Sequence, residues 1–341
     1  MKGFSPLKGS VPWKSTAVFP HLPRAGTQAG FMQEPAGKKS SQLSGLPGKG
    51  EIQTDGGWGE GAIMILGGRK MNLFTMDYYT DFRDVDRYFD IRADSMMQVL
   101  GTISSHHEVR GFKFQPDYMK QRGMAWILYQ WKIKILKPKQ YARRLTFKTL
   151  PVVEKDVYCY RYYEIRDIEG GVVGYALAHW VAIDLDKRKI TRIPEDLKAL
   201  IQGDGIPTPE QKRIIDGSNK KPVRKRDTTF DFEIEIPLRY SDVDSNLHVN
   251  NAIYGGWATE TIHQFDPEFL LKYYHEEIRV VYKKEKLPGG FVKSKLSLDG
   301  DTSYHEIYDE ADNLLTLIEM KWVPKTASNG DYSEYRIDDM A

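Results

Sequence analysis

A chain of 341 residues that is 40% hydrophobic and 12% aromatic has the apolar material for two cores, while 49 basic against 47 acidic residues leave a net charge of only +2. That balance excludes a global electrostatic footprint for nucleic acid or a charged membrane surface, so an acidic partner has to be met by a local patch. The single cysteine, Cys159, excludes an internal disulfide and suits a reducing compartment, and no apolar run has the length of a membrane span, so the expected location is the cytoplasm.

Residues 1–70 carry scattered Gly, Pro, Ser and Lys without sustained periodicity, apart from a brief apolar tract from Ala62 to Leu66, and are expected to be disordered. Three readings stand side by side. Up to Gln33 there are basic and hydroxyl residues but no acid, as in a transit peptide, which would place the protein in a plastid. Alternatively translation begins at Met71, the codons for Gly67 to Lys70 fitting a purine-rich ribosome-binding sequence, or the segment is a genuine disordered tail.

From Met71 the same plan runs twice. Arg83, Asp84, Val85 and Asp86 parallel Ser241, Asp242, Val243 and Asp244 at an offset of 158 residues, Lys137 and Pro138 parallel Leu287 and Pro288 at 150, and Trp180 parallels Trp322 at 142. Order is kept while the offset shrinks, as when a later copy has shorter loops. The first copy, 71–189, is predicted to hold a helix over 94–107, with Met96, Val99, Leu100 and Ile103 at i, i+3, i+4 and i+7, and strands near 125–137, 143–151, 156–168 and 172–184. Residues 190–228, rich in Pro and Gly and ending in a basic run, read as a linker with a helix from Pro194 to Ile201. The second copy, 229–325, is predicted to have strands near 230–237, 276–284, 291–298, 303–309 and 314–323, with a polar tail over 326–341. Each copy is thus an α+β unit, one long helix on a curved antiparallel sheet.

Between the first two strands of the second copy lies the segment that carries chemistry. Asp244, Asn246 and His248 occupy alternate positions; if the run is extended, they share one face while Val243 and Leu247 take the other. A buried helical stripe follows in Val249, Ala252, Ile253, Gly256 and Trp257, so the free N–H groups and positive end of a helix would lie beside the trio. Two glycines mid-helix, Gly255 and Gly256, cost about 1 kcal/mol each relative to Ala, which implies close packing there. In the first copy Asp86 matches Asp244, but Tyr88 stands for Asn246 and Asp90 for His248, so that copy lacks the site. Taken singly, each of the three is an ordinary cap, turn or core residue; together they converge a carboxylate, an amide and an imidazole.

The run Asp244, Ser245, Asn246, Leu247, His248, Val249, Asn250, Asn251, followed by Tyr254 and Gly256-Trp257, resembles the active-site signature of the acyl-carrier-protein (ACP) thioesterases, especially bacterial relatives of the plant plastid enzymes. The likeness covers residues 75 to 325, including Ile193-Pro194-Glu195 at the close of the first copy. It implies a tandem double hot-dog, a thioester hydrolase that releases fatty acid from acyl-ACP, and a catalytic second domain. The family's aspartate, asparagine and histidine fall on Asp244, Asn246 and His248, and its glutamate, in a segment of one aromatic and two basic residues, on Glu285. Where plant members place cysteine after that glutamate, this sequence has Lys286, which argues against a thiol nucleophile.

On this reading Asn246 and a backbone N–H hold the oxyanion, His248 carries the proton, Asp244 positions one of them, and Glu285 orients or activates water or attacks as a carboxylate. No metal or cofactor is required, and the histidines lack ligand spacing. Met96, Met97 and Leu100 read as core, and given the family as an acyl-tunnel lining. Arg143, Arg144, Lys283, Lys284 and Lys286 are candidate contacts for the acidic carrier protein. An acyl-CoA thioesterase of the same fold and a non-catalytic acyl-binding protein are the rival readings; acyl length and oligomeric state, a homodimer included, are left open.

Overall fold

The alternation of Trp131, Ile133 and Ile135, each 0–1% exposed, with the half-buried Lys132 and Lys134 fixes one strand against a core and marks the design of the whole sheet. The computed structural model describes residues 64–66, 69–71, 73–115, 117–202, 223–226 and 229–326, with isolated positions at 209 and 212–213. The remaining part of 1–70, most of the linker's later half and the tail from 327 lie outside the described residues. Met64–Leu66 (β1) and Arg69–Met71 (β2) pair antiparallel, so regular structure begins earlier than composition implies.

The first repeat runs Phe74–Tyr79 (β3), Ala93–His106 (α1), a widened turn over His107–Gly111, Tyr118–Gln121 (α2), Met124–Ile135 (β4), Arg144–Glu154 (β5), Tyr158–Arg166 (β6), Val172–Asp184 (β7) and Lys189–Ile190 (β8). After Glu195–Gln202 (α3), the second runs Phe232–Pro237 (β9), Ile253–Phe265 (α4), Phe269–Lys272 (α5), Tyr273–Tyr282 (β10), Phe291–Asp299 (β11), Thr302–Asp309 (β12) and Leu314–Pro324 (β13). One continuous sheet joins them in the order β3-β5-β6-β7-β4-β10-β13-β12-β11-β9, with β8 beside β7. Each half repeats the same strand order outward from the β4–β10 seam. There Lys132 and Lys134 come within 3.7 Å of Glu277 and Glu276 respectively.

The first long helix buries the stripe that the sequence assigns to it; the second buries Ile253 and Trp257 of its stripe, with Gly256 half-buried, and adds Ala258 and Ile262. Met96, Val99, Leu100 and Ile103 of α1, and Ile253, Trp257, Ala258 and Ile262 of α4, are all below 9% exposed in one shared core. The helices cross at Gly255, where a Cβ would lie 3.0 Å from Met97 Sδ and 3.4 Å from Ala93 Cβ. The glycine pair thus serves helix contact, a loss of helix propensity offset by close approach.

Candidate active site

Between β9 and α4 the chain is forced into a tight reversal, not the extended run that alternation of polar residues implies. Asp242, fully buried, accepts the Arg239 N–H at 2.8 Å and pairs with its guanidinium, and the Asp242 carbonyl takes the Asn250 N–H at 2.8 Å. Val243 then bridges to Val249, Asp244 N–H donates to the His248 carbonyl at 2.9 Å, and Leu247 N–H returns to the Asp244 carbonyl at 3.0 Å, with Leu247 at φ 62°. Asp244 Oδ1 closes the turn by accepting the Asn246 N–H at 2.8 Å. A short carboxylate at the first position of a turn competes with strand pairing in this way, and here it wins.

The helix also starts later than the buried stripe. Asn250 Oδ1 takes the Ala252 N–H at 2.9 Å, and its carbonyl the Ile253 N–H at 3.1 Å, so those two donors are already occupied. Val249 and Ala252 are buried, yet they belong to the bridge and the turn that precede α4.

What the reversal brings together is His248 and Glu285. Glu285 follows β10, and its Oε2 lies 3.3 Å from His248 Nε2, with the two side chains 50% and 33% exposed. The post-strand segment is clamped to the loop from three sides. Lys286 carbonyl accepts the Val249 N–H at 2.9 Å, Tyr254 hydroxyl accepts the Lys286 N–H, and Tyr282 hydroxyl donates to the Asn251 carbonyl at 2.6 Å. Burial pushes both tyrosine hydroxyls well above their ordinary range, so they remain protonated. Asn246 is exposed, and its carboxamide makes no hydrogen bond among the described residues. Asp244 reaches the Asn246 main chain and, at 3.5 Å, the Asn250 amide; among the described residues it has no bond to the imidazole ring.

Residues 71–201 match the acyl-ACP thioesterase N-terminal domain, and residues 225–324 match the acyl-ACP thioesterase C-terminal domain. The chain belongs to the acyl-ACP thioesterase family. It is 26% identical over 202 residues, 58% of this chain and 54% of the relative, to the chloroplastic oleoyl-acyl carrier protein thioesterase of Coriandrum sativum. To the chloroplastic dodecanoyl-[acyl-carrier-protein] hydrolase of Cinnamomum camphora it is 25% identical over 170 residues, 47% and 43% of the two chains. The chain spans about half the length of the curated relatives it matches. Among solved structures, the 12:0-ACP thioesterase from Umbellularia californica superposes with a TM-score of 0.65 at 16% identity over 74% of this chain and 98% of that one. A putative oleoyl thioesterase from Lactobacillus plantarum does so at 0.63 and 22%, over 75% and 98%. The fold is the tandem hot-dog of these proteins.

Within this family member the two repeats fold their loops alike. Asp86 N–H donates to the Asp90 carbonyl at 2.9 Å, Phe89 N–H to the Asp86 carbonyl at 2.9 Å, and Tyr88 N–H to Asp86 Oδ1 at 2.8 Å, with Phe89 also at φ 62°. Asp244 therefore does what Asp86 does where no imidazole is present: it shapes the loop. The backbone also corrects a register, because Pro138 carbonyl accepts the Ile91 N–H as Lys286 carbonyl accepts the Val249 N–H. Pro138 thus matches Lys286 and not Pro288; an acceptor carbonyl makes no demand on the side chain it comes from. Where His248 sits in the second loop, the first has Asp90, 4% exposed, with Lys139 Nζ at 2.9 Å and Lys325 Nζ on its other oxygen. An ionic plug thus takes the place of the imidazole in the first loop. Asp90→Ala is expected to cost about 3 kcal/mol of stability, since it leaves two largely buried ammonium groups without that counter-charge, each still on a carbonyl, of Tyr88 and Leu270 respectively; thermal unfolding measures it, and an unchanged melting temperature would contradict the plug.

The other sequence candidates separate clearly. Met96, Met97 and Leu100 are 0–1% exposed in the main core, and Met97 is seated on Gly255. Lys286 is 6% exposed with Nζ on the Gly289 carbonyl and Glu310, so it is corrected from a carrier contact to a loop clamp. Arg144 is paired with Asp77, while Lys283 and Lys284 stay exposed next to Glu285. Cys159 is 5% exposed on β6, its thiol pushed up to about 11 by burial, which leaves no thiolate at neutral pH. Cys159→Ala is expected to leave turnover intact; a folded, inactive variant would contradict this. Among the described residues no group of three or more His, Cys, Asp or Glu is placed to hold a metal, and no helix is long and apolar enough to cross a membrane. Sequence reasoning passed over Asp242, Tyr254 and Tyr282 as positioning groups. For Asp242 a signal existed, since its twin Asp84 likewise caps its loop by accepting the Asp81 N–H.

Proposed function

We propose that this chain hydrolyses the thioester of fatty acyl-ACP, giving free fatty acid and ACP with its thiol restored. The observation that carries the reading is the His248–Glu285 pair, 3.3 Å apart at the loop of the second repeat, which also bears the Asn246 carboxamide, without a partner among the described residues. Glu285 holds the Nε2–H of His248, so Nδ1 takes a proton from water as that water's oxygen bonds to the acyl carbon. The carbonyl oxygen gains charge against the Asn246 amide. As the carbon–sulfur bond breaks, the same imidazole returns the proton to the sulfur. Asp244 acts as a positioning residue, and Lys283 and Lys284 are the proposed contacts for the acidic carrier.

Purified protein given acyl-ACP and acyl-CoA side by side tests this. Faster hydrolysis of acyl-ACP supports the proposal, preference for acyl-CoA replaces it with the rival thioesterase, and binding without turnover replaces it with a silent acyl-binding protein.

A further inference from the structure

The repeats are related by an internal two-fold axis that the helix contact locates. Positions on α1 and α4 correspond at an offset of 158, the offset of the two loops, so Met97 and Gly255 are each other's counterparts. They also touch. A residue in contact with its own counterpart lies on the axis, as at the centre of an isologous interface.

On one side of that axis lies a cleft of about 420 Å³, with Asp86 and Tyr88 of the loop and Asp94 of the first turn of α1 on one wall and Gly256, Thr259 and Glu260 of α4 on the other. The two-fold carries the first wall onto Asp244, Asn246 and Ala252, on the catalytic loop and the turn before α4, and the second onto Gln98, Gly101 and Thr102. Gly256 abuts Asp94, with a Cβ there 3.4 Å from the Asp94 side chain; carried through the two-fold, that approach corresponds to Gln98 facing Ala252, which precedes α4. Three local facts agree. Gln98 is exposed on a helix whose neighbours at 96, 97, 99 and 100 are buried. Its carboxamide has no partner among the described residues. A Cβ on Gly101 would meet nothing within 4 Å, so the space before it is open.

We propose that Gln98, contributed by the non-catalytic half, contacts the substrate of the second half, its carboxamide bonding the pantetheine arm that bears the thioester, with Gly101 leaving room for that arm. This rests on the hydrolase reading above. The chemistry fits: the arm presents two amides and a hydroxyl without charge until its phosphate, and a primary amide both donates and accepts. At the equivalent position the upstream wall has Gly256 and so no amide; the Glu260 carboxylate on that wall, the counterpart of Thr102, only accepts when ionised. Because ACP and CoA share the arm, the contact serves both.

The test uses the full chain and three variants, Gln98→Ala, Gly101→Trp and, as the mirror-side control, Glu260→Gln. KM and kcat are read with acyl-ACP and with acyl-CoA, and Kd with S-dodecyl-pantetheine, a thioether that cannot be hydrolysed. Gln98→Ala is expected to raise KM and the thioether Kd by roughly five- to tenfold, the loss of one neutral hydrogen bond, with kcat nearly unchanged. Gly101→Trp should abolish thioether binding without lowering the melting temperature, and Glu260→Gln should match the parent. Parent-like KM and Kd in both Gln98→Ala and Gly101→Trp overturn the inference, as does a KM effect confined to acyl-ACP, which would move the contact to the carrier. A parent that binds the thioether through Gln98 without hydrolysing thioesters defeats only the hydrolase reading; a parent that does neither defeats both.

Discussion

His248→Ala is expected to lower kcat by about 10²–10⁴-fold, the usual worth of a positioned proton carrier, without unfolding the protein. The side chain is 33% exposed and pairs with a half-exposed carboxylate, so its removal deletes little packing and only a solvent-screened ion pair. The backbone bonds that fold the loop, from Asp244 N–H to the His248 carbonyl and from Val249 N–H to the Lys286 carbonyl, survive the change. Asn246→Ala should cost roughly 10²–10³-fold, the loss of one oxyanion donor, again with an unchanged melting temperature, since that carboxamide bonds nothing among the described residues. Single-turnover hydrolysis alongside thermal unfolding separates rate from fold. Near-parental turnover in either variant removes the assignment of roles, and a joint loss of rate and stability shows that the loop needs the side chain for its shape.

The site was legible as a set of residues and not as a geometry. Asp244, Asn246 and His248 stand out by type and spacing, and Glu285 only through the family resemblance, but the alternation that suggests a strand face is overridden by an Asx turn and by Leu247 at φ 62°. A leucine in the left-handed region leaves no trace in composition; only its twin Phe89, at the same φ, makes it recognisable, and only once both backbones are known. The long helices and paired strands were legible because their periods, 3.6 and 2, are written locally. The short α2 and α5, four residues each, leave no such period. The seam between β4 and β10 and the crossing of Met97 on Gly255 join residues more than 140 positions apart. Nothing local encodes them beyond a pair of lysines facing a pair of glutamates and two glycines that a helix would otherwise avoid. The opposing wall at Gln98 was invisible for the same reason.

Stability is expected to fall steeply between pH 7 and pH 5, because buried histidines are kept neutral in the fold. His107, 2% exposed, stacks on Phe74 and meets the Arg161 guanidinium at 2.8 Å; burial first, and then that charge, hold it at about 2. His305, 1% exposed beside Ser303, is lowered by burial to about 3. His275, 7% exposed, is lowered to about 4 by burial, with Asp90 opposing and Lys325 assisting. Each folded value lies below that of a free imidazole, near 6.5. Above that pH both states are neutral and nothing is lost. As pH falls through 6.5 the unfolded chain takes up protons that the fold refuses, so stability declines until the folded values are reached. At pH 5 each of the three removes about 2 kcal/mol, about 6 in all, against a typical total of 5–15 kcal/mol. His179, nearer the surface and lowered to about 4, adds a smaller part in the same direction. Glu108 and Asp86, raised by burial, act in the opposite sense, because the fold takes up their protons more readily than the unfolded chain. Their effect sets in as pH falls through the raised folded values and is complete below the ordinary carboxylate range, so it opposes the histidine decline. Urea unfolding at pH 7.5, 6 and 5 measures the balance, and His305→Gln, isolating one imidazole, should flatten the slope by about a third. A stability that stays level from pH 7.5 to 5 would mean that these rings protonate in place, and that the cavities around them admit water.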